Sequence, residues 1–255
     1  MVSKSIKVRE VIIGEGIPKI CVSLIGRTKE ELREEAAALK ELRIDILEWR
    51  ADYFTEINNK KRVIEMLQQV REIIGNIPLL FTFRTAKEGG ERQIEEQEYF
   101  SLYKSVLETG LIDLLDIELF MEAEAIKEVV NMAHSKQIAV VVSNHDFDKT
   151  PSKEEIVSRL QMARQLGADI PKIAVMPKSV KDVIALLDAT VTMKEEAPNQ
   201  PIVTMSMGGK GAVSRMAGEV FGSAITFAAA NKASAPGQIP LEELRTILNV
   251  LHKSL

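Results

Sequence analysis

The chain of 255 residues is poor in the residues that bind through sulfur or imidazole, and it carries no excess of positive charge. Cys21 is its one cysteine, which excludes an intramolecular disulfide and a thiolate metal cluster and suits a reducing, cytoplasmic setting. The three histidines, His134, His145 and His252, stand far apart and outside any H-E-x-x-H pattern, so no catalytic metal is expected, carboxylates for Mg²⁺ aside. Lys and Arg number 33 against 37 Asp and Glu, a net charge of -4 with the signs interspersed, which argues against a nucleic acid or a membrane surface as partner. No run approaches the ~18 apolar residues of a membrane span. Met1 to Glu10, which includes Lys4, Lys7, Arg9 and Glu10, lacks the apolar stretch of a signal peptide.

What remains is an ordinary globular composition, 45% hydrophobic and 27% charged, with a strong alternation of elements. Short apolar, β-branched runs at 19–24, 44–49, 78–84, 111–119, 138–143, 169–176, 202–207 and 224–228 predict eight strands. A helical segment follows each. Thr28 with Glu31 forms a capping box before a helix to Leu42, and Gly75 and Gly110 stop helices over 60–74 and 93–109. A helix over 122–135 follows; Thr150 and Pro151 read as N-cap and first residue of the next, which Gly167 ends; and Ser179 caps one reaching Glu196. A short helix over 214–222 precedes the eighth strand, and Pro240 opens the last helix, with Leu241, Leu244, Ile247, Leu248 and Leu251 on one face.

Eight β/α units with parallel strands and right-handed crossovers predict one (β/α)8 barrel, an α/β fold over residues 1–255, with an N-terminal β-hairpin at 6–13 capping its lower end. The open doubly wound sheet is the alternative, but the first β-to-α turn, Ser23 to Thr28, holds only Gly26 and lacks G-x-G-x-x-G.

Side chains alternate in and out along a strand, and a barrel interior is normally apolar. Here one parity is repeatedly polar: Glu48 and Arg50 with Ile44 and Ile46, Thr82 and Arg84, Asp116 and Glu118, Ser143 and His145, Lys172 with Ala174 and Met176, and Thr204 with Ser206. Buried charges need partners or a ligand, so this parity predicts either ion-pair networks or a substrate site. Lys172 lies in an apolar strand where neighbouring cations such as Arg84 would favour the neutral amine, the form that attacks a carbonyl. A lysine paired with Glu48 or Glu118 is the other reading. His145, at the end of the fifth strand, is a proton shuttle or the cap of the following loop, whereas His134 and His252 sit at helix C-terminal ends as structural residues.

Arg84 and Arg215 could each hold a carboxylate or belong to surface ion pairs. The run from Gly208 to Gly211 could cradle a phosphate or be a flexible turn, and Asn231 to Gln238 reads as a lid loop.

The strand ends taken together, Asp45-Ile46-Leu47-Glu48-Trp49-Arg50, Phe81 through Arg84 to Gly90, Ser143-Asn144-His145-Asp146-Phe147, Pro171-Lys172-Ile173-Ala174, Ser214-Arg215 and Ser234-Ala235-Pro236-Gly237-Gln238, closely resemble the type I 3-dehydroquinate dehydratase family from about Val11 onward. The resemblance implies a homodimeric lyase of the shikimate pathway, in aromatic amino acid biosynthesis, that needs no cofactor or metal. It would remove water from 3-dehydroquinate through an enzyme-bound imine. Residue by residue it implies Lys172 as the Schiff-base nucleophile, His145 as general acid and base, and Glu88 as the carboxylate that orients His145. Arg215 would bind the substrate carboxylate, and Ser23, Glu48, Arg50, Arg84, Ser234 and Gln238 its hydroxyls. Met205 and Phe227 read as apolar walls, and no role falls to Gly208 to Val213. A class I aldolase acting on a keto sugar, or a non-catalytic ligand-binding barrel, are the competing readings. Phosphate binding at Gly208 to Gly211 would favour the first, and binding without turnover the second.

Overall fold

The computed structural model describes residues 5–230 and 233–255; Asn231 and Lys232, at the start of the expected lid loop, and Lys4 lie outside the described residues. The chain opens with an antiparallel hairpin, β1 (Ile6–Val8) and β2 (Val11–Ile13), turned at Arg9 with a φ of 53°. Eight parallel strands follow: β3 (Lys19–Leu24), β4 (Ile46–Arg50), β5 (Leu79–Thr82), β6 (Leu114–Glu118), β7 (Ala139–Asp146), β8 (Ile170–Val175), β9 (Val203–Ser206) and β10 (Ile225–Ala229). From β3 to β9 each pairs with the next in sequence, and β10 pairs with β3. A bridge between Ile202 and Ser223, in which the Ala224 N–H donates to the Ile202 carbonyl at 2.8 Å, draws β9 to β10 and closes the ring. A two-residue strand, β11 (Ile239–Pro240), lies outside β10.

The connecting helices are α1 (Lys29–Lys40), α2 (Lys60–Ile74), α3 (Glu96–Leu107), α4 (Ala123–Ser135), α5 (Lys153–Gln165), α6 (Val180–Glu196), the two short α7 (Ala212–Met216) and α8 (Gly218–Phe221), and α9 (Leu241–His252). The α2 helix shows why they form. Val63, Met66, Leu67, Val70 and Ile74 recur at helical spacing and are buried, the Asn59 side chain caps the Arg62 N–H, and Gly75, at a φ of 61°, lets the chain leave. Each such apolar side chain contributes roughly 1.5–3 kcal/mol on burial. Among the described residues no helix is long and apolar enough to cross a membrane.

Four local expectations need correction. Thr28 caps α1, but the Glu31 carboxylate reaches the Arg27 N–H, one residue short of a closed capping box. Ser152, not Thr150, caps α5, because the Thr150 hydroxyl donates instead to the Met176 carbonyl at the end of the adjacent β8, at 3.1 Å. The helix expected over 214–222 is two short helices that meet at Ala217. Finally, Thr204 and Ser206 face outward: Thr204 bonds Thr190 of α6 at 2.7 Å, and the Ser206 N–H donates to the Ser214 hydroxyl at 2.9 Å. Val203, Met205 and Met207 take the inner positions of β9. His134 and His252 stay structural, with carboxylate partners Asp169 and Glu219 at 2.9 and 2.8 Å.

Two apolar regions result. Outside the sheet, the strands pack on the helices through residues that include Trp49, the one tryptophan, whose ring meets Phe54 and Phe81 edge-on. Inside, Cys21, Ile46, Leu80, Leu114, Val141, Ile170, Val203 and Ile225 fill the lower barrel, and Val8 and Ile13 of the hairpin plug it from below. The polar inner residues are thereby confined to the C-terminal ends of the strands.

Candidate active site

Above the apolar floor the strand ends enclose a cavity of about 470 Å³, its open mouth included. Its wall contains Glu48, Arg50, Arg84, Glu88, His145, Lys172 and Ser234, together with Phe147, Met205 and Phe227. Lys172 projects inward from the middle of β8. Its Nζ lies 2.9 Å from Asp116 Oδ2 and 4.7 Å from the centre of the Phe227 ring, a cation–π approach. The alternative partners read from sequence, Glu48 and Glu118, are occupied elsewhere. Glu48 accepts from the Ser23 hydroxyl at 2.6 Å and the Thr82 hydroxyl at 2.9 Å, and Glu118 accepts from the Thr85 N–H and hydroxyl, both at 2.7 Å.

Asp116 is the residue that sequence reasoning left without a role. It is fully buried and accepts from Lys172, from Arg84 Nη2 at 2.7 Å and from the Ser143 hydroxyl at 2.6 Å. Burial by itself would raise its carboxyl, but Arg84 and Lys172 outweigh that and hold it at about 2. Arg84 in turn bridges Asp116 and Glu118, with Nη1 3.1 Å from Glu118 Oε1 and 3.7 Å from Glu88 Oε2. Its charge is thus shared among three carboxylates. Arg50 is clamped by a two-point contact with Asp52, 2.8 Å at each nitrogen, so Asp52 is a second supporting carboxylate missed in the sequence.

Glu88 arrives on the loop after β5. Gly89 follows it at a φ of 82°, and a Cβ there would stand 2.2 Å from the Phe147 ring, so only glycine lets that ring lie against the loop. Glu88 Oε2 lies 2.9 Å from His145 Nδ1 and accepts from the His145 backbone N–H at 2.9 Å. Burial pushes the Glu88 carboxyl up to about 8, with Arg84 opposing. Burial, reinforced by Arg84, Lys172 and Arg50, pushes His145 well below the usual imidazole range. The ring is thus neutral with Nδ1 turned to Glu88 and Nε2 left for the cavity; when Glu88 ionises, Nδ1 carries the hydrogen and Nε2 is free to act as a general base.

Three expected site residues stand one contact behind the wall. Ser23 joins Glu48 to Ser234 at 2.6 and 2.9 Å, and Gln238 holds Ser234 through its hydroxyl at 3.0 Å and its N–H at 2.9 Å. Arg215 reaches from α7 to the Pro236 carbonyl at 3.1 Å and lies against Met205 Sδ and the Phe227 carbonyl, and its Nε has no partner among the described residues. Buried and touching only neutral acceptors, its guanidinium is lowered to about 10. The Gly208 N–H also donates to the Pro236 carbonyl, at 3.1 Å. Gly237, at a φ of 75°, lies on the Gly208 backbone, where a Cβ would stand 2.4 Å from the Gly208 oxygen. The glycine run after β9 is therefore the seat of the loop around Pro236 and Gly237, and the Gly208 and Gly211 N–H groups are already bonded within the protein.

A sequence model of the family described as Type I 3-dehydroquinase matches residues 20–255. A 3-dehydroquinate dehydratase of Bacillus licheniformis is 54% identical over 252 residues, covering 99% of each chain, and one of Clostridioides difficile is likewise 54% identical over 252 residues. Among solved structures, type I 3-dehydroquinate dehydratase from Clostridium difficile, with covalently modified comenic acid, superposes with a TM-score of 0.97 at 54% identity over the whole of both chains. The 3-dehydroquinate dehydratase of Geobacillus kaustophilus gives 0.95 at 43% identity, covering 98% of this chain and 97% of that one.

Proposed function

The chain belongs to the type I 3-dehydroquinase family, and from that premise we propose that it converts 3-dehydroquinate to 3-dehydroshikimate by syn elimination of water through a Lys172 imine. The observation that carries this reading is one cavity lined by a buried amine and by an imidazole whose Nδ1 is already taken by a carboxylate. In the unprotonated form, Lys172 Nζ adds to the C3 ketone, and loss of water with uptake of one proton from solvent gives a cationic imine. His145 Nε2 then removes a proton from C2, and the C–H electron pair moves into the imine to give an enamine. Return of that pair expels the C1 hydroxyl, which takes the proton back from His145 and leaves as water. Hydrolysis of the remaining imine releases product and restores the amine.

Glu88 stabilises the imidazolium formed midway, as a carboxylate does for a catalytic histidine. Phe227 and Asp116 hold the amine at the floor. Arg215 is suited to the substrate carboxylate because it faces only neutral acceptors and has no carboxylate of its own among the described residues. Glu48, Arg50, Arg84 and the Ser23–Ser234–Gln238 chain offer donors and acceptors for the ring hydroxyls, whose pairing discriminates against deoxy analogues. The working assembly proposed is a homodimer of one barrel per chain, which light scattering tests.

The decisive assay mixes protein with 3-dehydroquinate, follows the ultraviolet absorbance of the conjugated product, then adds borohydride and maps the adduct by peptide mass spectrometry. Product with an adduct on Lys172 is expected. Lys172→Ala should abolish turnover, and His145→Ala should still trap an adduct while failing in proton transfer. A Lys172→Ala protein that works at near the parent rate would refute the imine.

A further inference from the structure

We propose that Asn144 and Arg159 are positioning residues that hold Glu88 so that His145 keeps its proton on Nδ1 and offers Nε2 to the cavity. The inference rests on the proton-shuttle role assigned to His145 above. Asn144 is buried next to His145 on β7, and Arg159 projects from α5 with 15% of its side chain exposed. Arg159 Nη1 donates to Asn144 Oδ1 at 2.8 Å. A guanidinium has donors only, so the carbonyl end of the Asn144 amide must face it and the NH₂ end must face away. That NH₂ donates to Glu88 Oε1 at 3.1 Å. Arg159 is itself aimed by Glu155 at 2.8 Å, by Asp146 at 3.7 Å and by the Phe120 ring, 5.4 Å from its guanidinium carbon.

The chain of donors decides which atom of His145 carries hydrogen. With Oε1 bonded to the amide and Oε2 to the His145 backbone N–H, both donors favour the ionised form of Glu88 against burial, and once ionised a carboxylate facing Nδ1 at 2.9 Å requires hydrogen on that nitrogen. A protonated Glu88 would instead donate to Nδ1 and force the ring hydrogen onto Nε2, the atom that must accept the C2 proton. Other groups press on the pair as well: Arg84 beyond β5, Glu118 of β6, Lys172 of β8 and Arg50 of β4. Burial already pushes Glu88 up, and the Asn144 amide is one of the donors that pull it back.

The test is ¹⁵N NMR of the ligand-free protein with histidine-labelled rings, the His145 signals being assigned by their loss in His145→Gln, alongside pH profiles of kcat. In the parent protein His145 should be the Nδ1–H tautomer once the pH exceeds about 8, where Glu88 is ionised. Asn144→Leu and Arg159→Met should each move population to Nε2–H, raise the pH at which the pair releases its proton and lower kcat on the order of tenfold at little change in KM, the effect of losing one hydrogen bond to a charged group. Arg159→Lys, which can still donate to Oδ1, should restore part of both. If Asn144→Leu does not fold, Arg159→Met at the edge of the network carries the test. An unchanged tautomer and pH profile in Arg159→Met would overturn the proposal, even if kcat fell through general destabilisation. The tautomer is read without substrate, so a parent protein that did not dehydrate 3-dehydroquinate would remove the proposed reaction while leaving this measurement to stand by itself.

Discussion

Cys21, Ile46, Leu80, Leu114, Val141 and Ile170 form one inner layer of the barrel; two residues further along the same six strands stand Ser23, Glu48, Thr82, Asp116, Ser143 and Lys172. One step of the pleat, roughly 6.6 Å, thus separates a layer that is almost wholly apolar from one in which nearly every side chain is a donor, an acceptor or a charge. The two layers depend on each other. A dry floor, sealed by Val8 and Ile13, keeps the surroundings of the upper layer at low polarisability, where an unpaired charge is expensive and a paired one is strongly held. The upper layer answers with carboxylates matched to cations: Asp116 with Lys172 and Arg84, Glu118 with Arg84, and Asp52 with Arg50. Specific geometry there follows from the apolar half below.

The contrast can be broken from above. Asp116→Ala leaves Lys172 and Arg84 facing each other without their common carboxylate and should destabilise the fold by about 3–5 kcal/mol in denaturant unfolding. Lys172→Met, which leaves Asp116 paired with Arg84, should keep the parent stability while losing turnover. Equal stability losses in the two variants would show that pairing through Asp116 does not organise the layer. It can also be broken from below: Ile13→Ala opens a void under the floor and should cost about 2–5 kcal/mol, with kcat of the folded fraction unchanged. A fall in kcat in proportion to the stability loss would mean that the hairpin shapes the site as well as supporting it.

The smallest effect is one of pH. Asp116 titrates near 2 in the fold against 3.8 ordinarily, so its contribution, roughly 2 kcal/mol, is complete above about pH 4 and disappears as pH falls through about 2. Chemical unfolding followed down that range should show a slope in the parent protein that Asp116→Asn lacks. Identical slopes would place the acid sensitivity on other carboxylates.

The barrel was legible because its punctuation is local. Thr28, Gly75 and Ser179 act within a few residues of themselves, and apolar runs between such signals give strands whose centres match the observed ones. The polar inner parity was legible on β4 to β8 and failed on β9. A barrel strand is covered on both faces, so the Thr204 hydroxyl could satisfy itself against Thr190 of the helix layer as readily as in the interior, and Ser206 follows it outward, its backbone N–H bonded to the Ser214 hydroxyl. Long-range choices were the least legible. Thr150 is diverted by the Met176 carbonyl at the end of the neighbouring strand, 26 residues away, and Lys172 finds Asp116, 56 residues away, while Glu48 and Glu118 offered the same charge on the same face. Family resemblance supplied what spacing could not, naming Glu88 as a site residue, and the structure adds the supporting carboxylates Asp116 and Asp52.

Trp49 turns this architecture into an optical instrument. The one indole of the chain is fully buried against Phe54 and Phe81, on the outer face of β4, and the residues on either side of it, Glu48 and Arg50, face the cavity. Its fluorescence therefore comes from a single known place, one peptide bond from both. Emission from so dry a site should shift to longer wavelength on unfolding, and smaller changes on adding ligand would report the response of β4 itself, without a label and without a second tryptophan to subtract.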